Sequence, residues 1–333
     1  MTLAPPIPEK IRSSLTAPGQ GNETDLEELS DSLRCTQTGA NYDFVDGVPS
    51  LLAPTPESAG EIGQRVRSFY EDNPFPNYES LDDFGELVNR GISNPFSRDL
   101  LQAIGSNKCI LECGCGTGQL SHFLQLNNNH VLGVDMSMNS LRLAAAFRKE
   151  NNLARSAFAQ MNLFALAVKD ESMDVVISHG VLHHTPDARR AFLEIVRKVK
   201  PGGMVVIGLY NAIARVPSWL RAKAIPFLGP NIDYVVRTRI RDDRKRDIWM
   251  KDQYYNPHET WHSIDDVLGW FREAGVEFVN CRPPILDTDG ERNSGMFDES
   301  SPGTKYQRMV TQLSWLGSIA REGALFDVIG QKR

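Results

Sequence analysis

At 333 residues the chain is long enough to bury a full core as one elaborated domain or two small ones. A formal charge of −6, from 36 basic and 42 acidic side chains, excludes broad electrostatic capture of nucleic acid and leaves only a local basic stripe as a route to it. Five scattered cysteines, an odd number without framework spacing, exclude a disulfide scaffold and predict reduced thiols in a cytoplasmic compartment.

In chain order, Met1 to Ser14 contains prolines but no apolar core of a signal peptide, and no run approaches the length of a membrane span. Residues 1 to about 30 are rich in Pro, Gly, Ser and acids and predict a mobile lead-in. Leu33 to Leu52, with turn chemistry at Thr38-Gly39 and Asp46-Gly47, predicts a short hairpin. Cys35 has no C-x-x-C partner there, so a structural zinc site is not expected. Residues 1–60 thus read as an N-terminal extension, and 61–333 as the main domain. Between Gly63 and Tyr78 the aromatics Phe69, Tyr70, Phe75 and Tyr78 crowd around Pro74 and Pro76. Such a turn either lays rings over a ligand or packs the N-terminal segment onto the domain.

The stretch Cys109 to Leu120 reads C-I-L-E-C-G-C-G-T-G-Q-L: an apolar strand, a glycine turn and a helix start. Alternating glycines permit positive φ and remove Cβ atoms from the path of a ligand. A dinucleotide turn needs G-x-G-x-x-G for its pyrophosphate. Here that third position is Gln119, and Glu112 sits where it would suit an ammonium and repel a phosphate. The next apolar run, Val131 to Val134, ends at Asp135, about 20 residues beyond the turn, the interval expected of a ribose-binding acid. Ribose, a cationic amine and no pyrophosphate together point to S-adenosylmethionine.

On these residues the chain resembles the class I S-adenosylmethionine-dependent methyltransferases. Glu112-Cys113-Gly114-Cys115-Gly116-Thr117-Gly118 is similar to their first motif and Gly133-Val134-Asp135-Met136-Ser137 to their second. Gln160 to Leu163, Ser172 to Val176 and Val181 to His184 resemble the subgroup that includes ubiquinone and menaquinone methyltransferases. The likeness covers about residues 105 to 210, and an ordered set of motifs is more specific than a lone glycine turn. It implies a doubly wound α/β fold, Rossmann-like, with a seven-stranded, mostly parallel sheet, an N-terminal extension and an inserted cap. Asn162 stands where that family usually has Asp beside the adenine; its amide oxygen can still accept from the adenine amino group.

Strands are predicted at Cys109–Glu112, Val131–Asp135, Ser156–Gln160, Met173–Ser178 and Met204–Leu209. A helix is predicted from Thr185-Pro186, with Phe192, Ile195, Val196 and Val199 on one face. Ligands of such sheets lie beyond the carboxyl ends of the strands. The candidate cofactor contacts are therefore Glu112, Gly114, Cys115, Gly116, Gly118 and Gln119 on the first turn, Asp135 and Met136, Asn162 and Leu163, and Ser178. The resemblance adds Tyr70 as a candidate lid aromatic over the methionine end.

Residues 211–262 predict an inserted cap, with a hydrophobic piece, Val216 to Leu228, and a basic stretch holding Arg237, Arg239, Arg241, Arg244, Lys245 and Arg246 among acids. After it, Ser263 caps a helix with Ile264, Val267, Leu268 and Phe271 on one stripe, ending at Gly275. A strand Val276–Asn280, a second insertion over 281–323 with a helix from Arg308 to Ile319, and a last strand Ala324–Ile329 complete the chain.

A sulfonium methyl needs an in-line nucleophile, and a base only where the acceptor must lose a proton. His179 and His184, after the fourth strand, are the candidate catalytic residues; His183 is as readily structural. Tyr210, Asn211, Tyr255, His258 and His262 are candidate substrate contacts. The expected activity is transfer of methyl to an O, N or C acceptor of a small molecule, with no metal required. RNA such as tRNA, held by the basic stripe, is the alternative acceptor, and a binding protein that keeps the fold without catalysis is a further one. His258-Glu259-Thr260-Trp261-His262 also fits H-E-x-x-H, but a zinc protease needs those five residues helical, whereas Ser263 marks a helix start after them.

Overall fold

The computed structural model describes residues 7–333 except 77, 79, 80, 82, 241 and 287–294. Its centre is a seven-stranded sheet of β5 (Cys109–Cys113), β6 (His130–Asp135), β7 (Ser156–Gln160), β8 (Met173–His179), β9 (Val199–Tyr210), β10 (Val276–Arg282) and β11 (Leu325–Lys332), in the order β10-β11-β9-β8-β5-β6-β7. β7, β6, β5, β8 and β9 are parallel; β11 runs antiparallel between β9 and β10. β5 and β8 are neighbours although the chain between them leaves for the far side of the sheet. That reversal opens a crevice at their carboxyl ends, where open α/β sheets take ligands.

The strands are near-continuous apolar runs because both faces are covered. One face packs α8 (Ala188–Arg197) and α12 (Ile264–Glu273), with Phe192 against Phe271 and Trp270. The other packs α4 (Phe84–Ser93), α5 (Pro95–Ile104) and α6 (Gln119–Leu124), with Leu87, Leu100 and Phe123 buried on Ile110, Val175 and Ile177. α7 (Met138–Glu150) lies along β7.

Ahead of the sheet the fold departs from expectation. Residues 7–30 are not a loose lead-in: α1 (Glu9–Arg12) puts Ile11 fully inside, and Ile7, Leu15 and Ala17 join the main core. The predicted hairpin is a four-stranded antiparallel sheet, β1 (Leu26–Glu28), β2 (Ser32–Cys35), β3 (Asn41–Val45) and β4 (Val48–Pro49). It is fastened by bridges from Leu15 to Val168 and from Ser50 to Gln160. Composition misleads because a handful of spaced apolar residues suffices when a preformed sheet edge receives them. α2 (Pro56–Ala59) and α3 (Glu61–Asp72) then lead over the carboxyl ends of the strands.

The cap holds α9 (Val216–Leu228), α10 (Tyr234–Thr238) and α11 (Asp243–Tyr254), and α13 (Lys305–Ser314) follows in the second insertion. α13 begins three residues before the predicted start because Thr304 and Gln307 form a capping box. α8 begins at Ala188 rather than Thr185: Asp187 accepts the Arg190 N–H as its cap, while Leu182–His184 form a single 3₁₀ turn. Among the described residues no helix is long and apolar enough to cross a membrane.

Candidate active site

The glycine turn leaves β5 with Gly114 at φ 78° and Gly116 at φ 52°, and Gly118 at φ 77° starts α6. The Gly114 and Cys115 amides donate to the Val134 carbonyl, so the turn is pressed onto the end of β6. A side chain at Gly116 would run into the carbonyl oxygen of Phe75, and one at Gly114 into Val181. This position therefore needs glycine twice over, for its dihedral and for the close passage of the strap above it.

That strap is the aromatic segment after α3. Thr117 donates its N–H to the Phe75 carbonyl and its hydroxyl to Pro76, and Tyr78 donates to the Thr117 carbonyl at 2.6 Å while stacking on Phe147. One residue before the turn from α3, Glu71 accepts the N–H groups of Met138 and Asn139 at 2.9 and 3.0 Å. A carboxylate there satisfies the open amides of α7 and suits the positive end of its dipole. α3 is thereby tied to the loop that carries Asp135. Tyr70, on the same helix, accepts from Asn256 at 2.8 Å and faces His184, so it closes the cavity roof against the cap.

Strap, sheet ends and cap enclose a cavity of about 740 Å³, within the span of small-molecule sites. Of the sequence-derived cofactor candidates, Glu112, Gly114, Cys115, Gly116, Gln119, Asp135, Met136, Asn162, Leu163 and Tyr70 line it. Gly118 and Ser178 do not: Gly118 packs on Phe158 and Ala144, and Ser178 is fully buried with its hydroxyl on the Cys113 carbonyl. Asp135 holds the Gly116 and Ser137 amides on its two oxygens at 2.9 and 2.8 Å, each oxygen keeping a lone pair for a hydroxyl. Burial raises its pKa against those amide bonds. Glu112 receives the Ser121 hydroxyl, and burial pushes its carboxyl up to about 8.

Asn162 differs from its expected part. It is fully buried; both amide hydrogens go to the Ala53 carbonyl and the Thr55 hydroxyl, and its oxygen takes the Phe164 N–H. The side chain holds the N-terminal connection to the wall rather than turning its oxygen to the cavity.

Both candidate catalytic histidines line the cavity. His184 donates Nδ1–H to the His258 carbonyl at 2.9 Å, which selects the tautomer with its lone pair on Nε2. His179 stacks on Phe96 at 3.9 Å, and its Nε2 lies 3.3 Å from Asp327 on β11. His183 is structural: fully buried, stacked under Tyr210, its Nδ1 accepting the Tyr210 N–H.

Of the candidate substrate contacts only Tyr210 reaches the cavity. Asn211 is spent on Gln312 and the Ile213 and Ala214 amides, and Tyr255 is more than half exposed outside it. His262 bonds Thr260 and lies edge-on to Trp270, and His258 contributes its carbonyl rather than its ring. The H-E-x-x-H segment is extended, not helical, so its two histidines share no helix face. Its glutamate is the counter-ion of Arg215. That arginine is 1% exposed, and its five N–H donors meet Glu259 twice, Gln253 twice and the Gly323 carbonyl once. The guanidinium lies 3.8 Å above the Tyr210 ring, whose hydroxyl accepts from Gln253.

Phe96, Trp249 and Gln253 also line the cavity, and Asp327 stands behind it. No local motif marks these residues; they arrive from α5, α11 and the last strand by tertiary packing.

A family model described as a methyltransferase domain matches residues 111–207, the span from β5 through β9. A ubiquinone biosynthesis O-methyltransferase of Rickettsia akari is 30% identical over 195 residues, covering 53% of this chain and 76% of that protein. The chain belongs to the S-adenosylmethionine-dependent methyltransferases. An uncharacterized protein of Synechococcus sp. is 26% identical to the methyltransferase over 69% of this chain and 62% of its own length. A demethylmenaquinone methyltransferase of Lactococcus lactis is 35% identical over 36% of this chain and 51% of that protein. The chain thus spans less than two thirds of the length of these two relatives. In the methyltransferase the glycine turn and the carboxylates of Glu112 and Asp135 line the same cavity.

Proposed function

We propose that the protein transfers the methyl group of S-adenosylmethionine to an acceptor of modest size. The observation that carries this is the convergence of Gly114, Gly116, Glu112 and Asp135 on one cavity at the β5–β8 reversal, closed above by the strap and the cap. In this reading Asp135 takes the ribose hydroxyls and Glu112 the amino group, while Met136 and Leu163 sandwich the base. Bound there, the cofactor supplies a sulfonium methyl to an in-line nucleophile. Tyr210, Trp249, Gln253 and His184 would shape the acceptor compartment and keep water from it, and Tyr70 would shield the methyl end.

Enclosure favours a small molecule over RNA. Two of the basic residues of the cap are already paired, Arg239 with Glu322 and Arg246 with Asp243; Arg241 and the side chains of Arg244 and Lys245 lie outside the described residues. Transfer of label from methyl-labelled cofactor into an extract of small metabolites, with a rate that changes little between 50 and 200 mM salt, is the expected result. An RNA acceptor with several phosphate contacts would instead lose affinity by roughly 10³-fold or more over that range.

Glu112 provides a test of the cofactor orientation. Burial keeps it protonated at pH 7 when alone, whereas an ammonium beside it would hold it ionised. Binding of S-adenosylhomocysteine at pH 7 should therefore release up to one proton, and this release should fade above about pH 9 as the free protein has already ionised. Calorimetry in two buffers of different ionisation enthalpy reads the proton count. Zero release at pH 7 would place the amine elsewhere.

A further inference from the structure

His179 and Asp327 are brought together from distant parts of the chain, one at the end of β8 and the other on β11. Between them β9 carries Gly208. A Cβ there would lie 2.5 Å from the His179 ring and 2.7 Å from Asp327 Oδ1, so the backbone is kept bare where the pair meets. Phe96 covers the other face of the ring. Asp327 is 8% exposed, and its Oδ1 is buried with no hydrogen-bond partner: His179 Nε2 is near enough at 3.3 Å but not aligned as a donor. An unfilled buried carboxyl oxygen is costly, and it stands beside a histidine that lines the cavity.

We propose that His179 and Asp327 act as one proton-accepting pair for this cavity, His179 taking the proton of the methylated hydroxyl and Asp327 positioning the ring. The inference rests on the methyl-transfer reading and narrows it to acceptors that surrender a proton. As the acceptor oxygen forms its bond to the methyl carbon, the carbon–sulfur electrons leave with sulfur, and the hydroxyl proton passes to Nδ1 of His179. Nε2 then donates to the waiting Oδ1, and the imidazolium faces a carboxylate. Asp327 is thus a positioning residue, and His179 the base.

The charged and titratable groups around the pair come from three further elements. β10 brings Arg282, which forms an ion pair with Asp99 of α5 at 2.7 Å, and the buried thiol of Cys281; His183 follows β8. Burial drives Asp327 up to about 8, with Arg282 opposing, and drives His179 down. Asp327 therefore keeps its own proton at neutral pH, and the pair becomes a base as that carboxyl ionises and can take the Nε2–H of His179. Its competence rises with pH through that step.

The test follows the nitrogen signals of His179 by NMR in protein saturated with S-adenosylhomocysteine, with His179→Gln used for assignment. The wild-type ring should report an alkaline transition near pH 8. In Asp327→Asn that step should vanish, leaving a lone buried imidazole that titrates roughly a pH unit or more lower. An unchanged His179 titration in Asp327→Asn would overturn the proposal, because the carboxyl would then not act on the ring at all. Should Asp327→Asn not fold, the Asp327 carboxyl carbon is followed in the wild type and in His179→Gln. A shifted midpoint supports the pair and an identical one refutes it. If wild-type protein does not bind S-adenosylhomocysteine, the methyl-transfer reading fails instead, and the two failures are told apart.

Discussion

Arg215→Met is expected to destabilise the protein by about 3–5 kcal/mol, the cost of removing one partner from a buried, fully bonded ion pair. The argument is that all five donors of this side chain are used, on three separate stretches of chain: Gln253 at the end of α11, Glu259 in the extended segment, and Gly323 before β11. Methionine keeps much of the volume but leaves the Gln253 and Gly323 carbonyls and one face of Glu259 without their donors. The cation stacked on Tyr210 is also lost, so the cavity wall should loosen with the cap. Urea unfolding followed by fluorescence and by circular dichroism should show a lower midpoint. A cap transition separating from the main one would be the strongest form of the result. A midpoint within experimental error of wild type would show that the arginine is dispensable. Glu259→Gln should cost less than the loss of the arginine, since the amide oxygen can keep one of the two Arg215 bonds, although its NH2 then faces a guanidinium donor and the charge is gone.

Asp135→Ala is expected to lower affinity for S-adenosylhomocysteine by at least tenfold. Each charge-assisted hydrogen bond from a ribose hydroxyl is worth about 1.5–3 kcal/mol, and tenfold in affinity is about 1.4 kcal/mol. The variant also frees the Gly116 and Ser137 amides, so the turn that must lie against the nucleoside loses its brace to β6. Calorimetry on folded protein measures this directly. Asp135→Asn should fall between the two, because the amide oxygen can still take one N–H or one hydroxyl. Affinity for the nucleoside unchanged in the alanine variant would remove Asp135 from the site.

Much of this was legible in the residues. The glycine turn, Glu112 and Asp135 are local: their spacing along two strands and one turn sets where they end up, because a parallel strand delivers its last residue to a known edge of the sheet. The helix after Ser263 was equally plain, since capping box and apolar stripe lie within one short stretch. Errors fell where a side chain's role depends on neighbours far away in sequence. Asn162 looked like an adenine partner until Ala53 and Thr55 claimed its amide, 109 and 107 residues away. Asn211 and His262 looked available until a bridge between them tied the cap to β9.

The N-terminal segment failed for a different reason. Composition measures how much a segment can bury by itself, but Ile11 and Leu15 bury themselves against a core that the rest of the chain has already built. The H-E-x-x-H match failed because a motif carries geometry only in the secondary structure that it presupposes, and here that stretch is extended.

By itself, then, the amino-acid order determined the strand–turn–helix units, their parallel arrangement, and the class of ligand that the first turn can take, since each depends on residues a few positions apart. Tertiary structure alone decided what stands over that turn and beside it: the strap from α3, the arginine that locks the cap, and the carboxyl of Asp327 behind His179. Those contacts join residues separated by up to about half the chain, where no periodicity or spacing rule reaches and packing alone selects the neighbour.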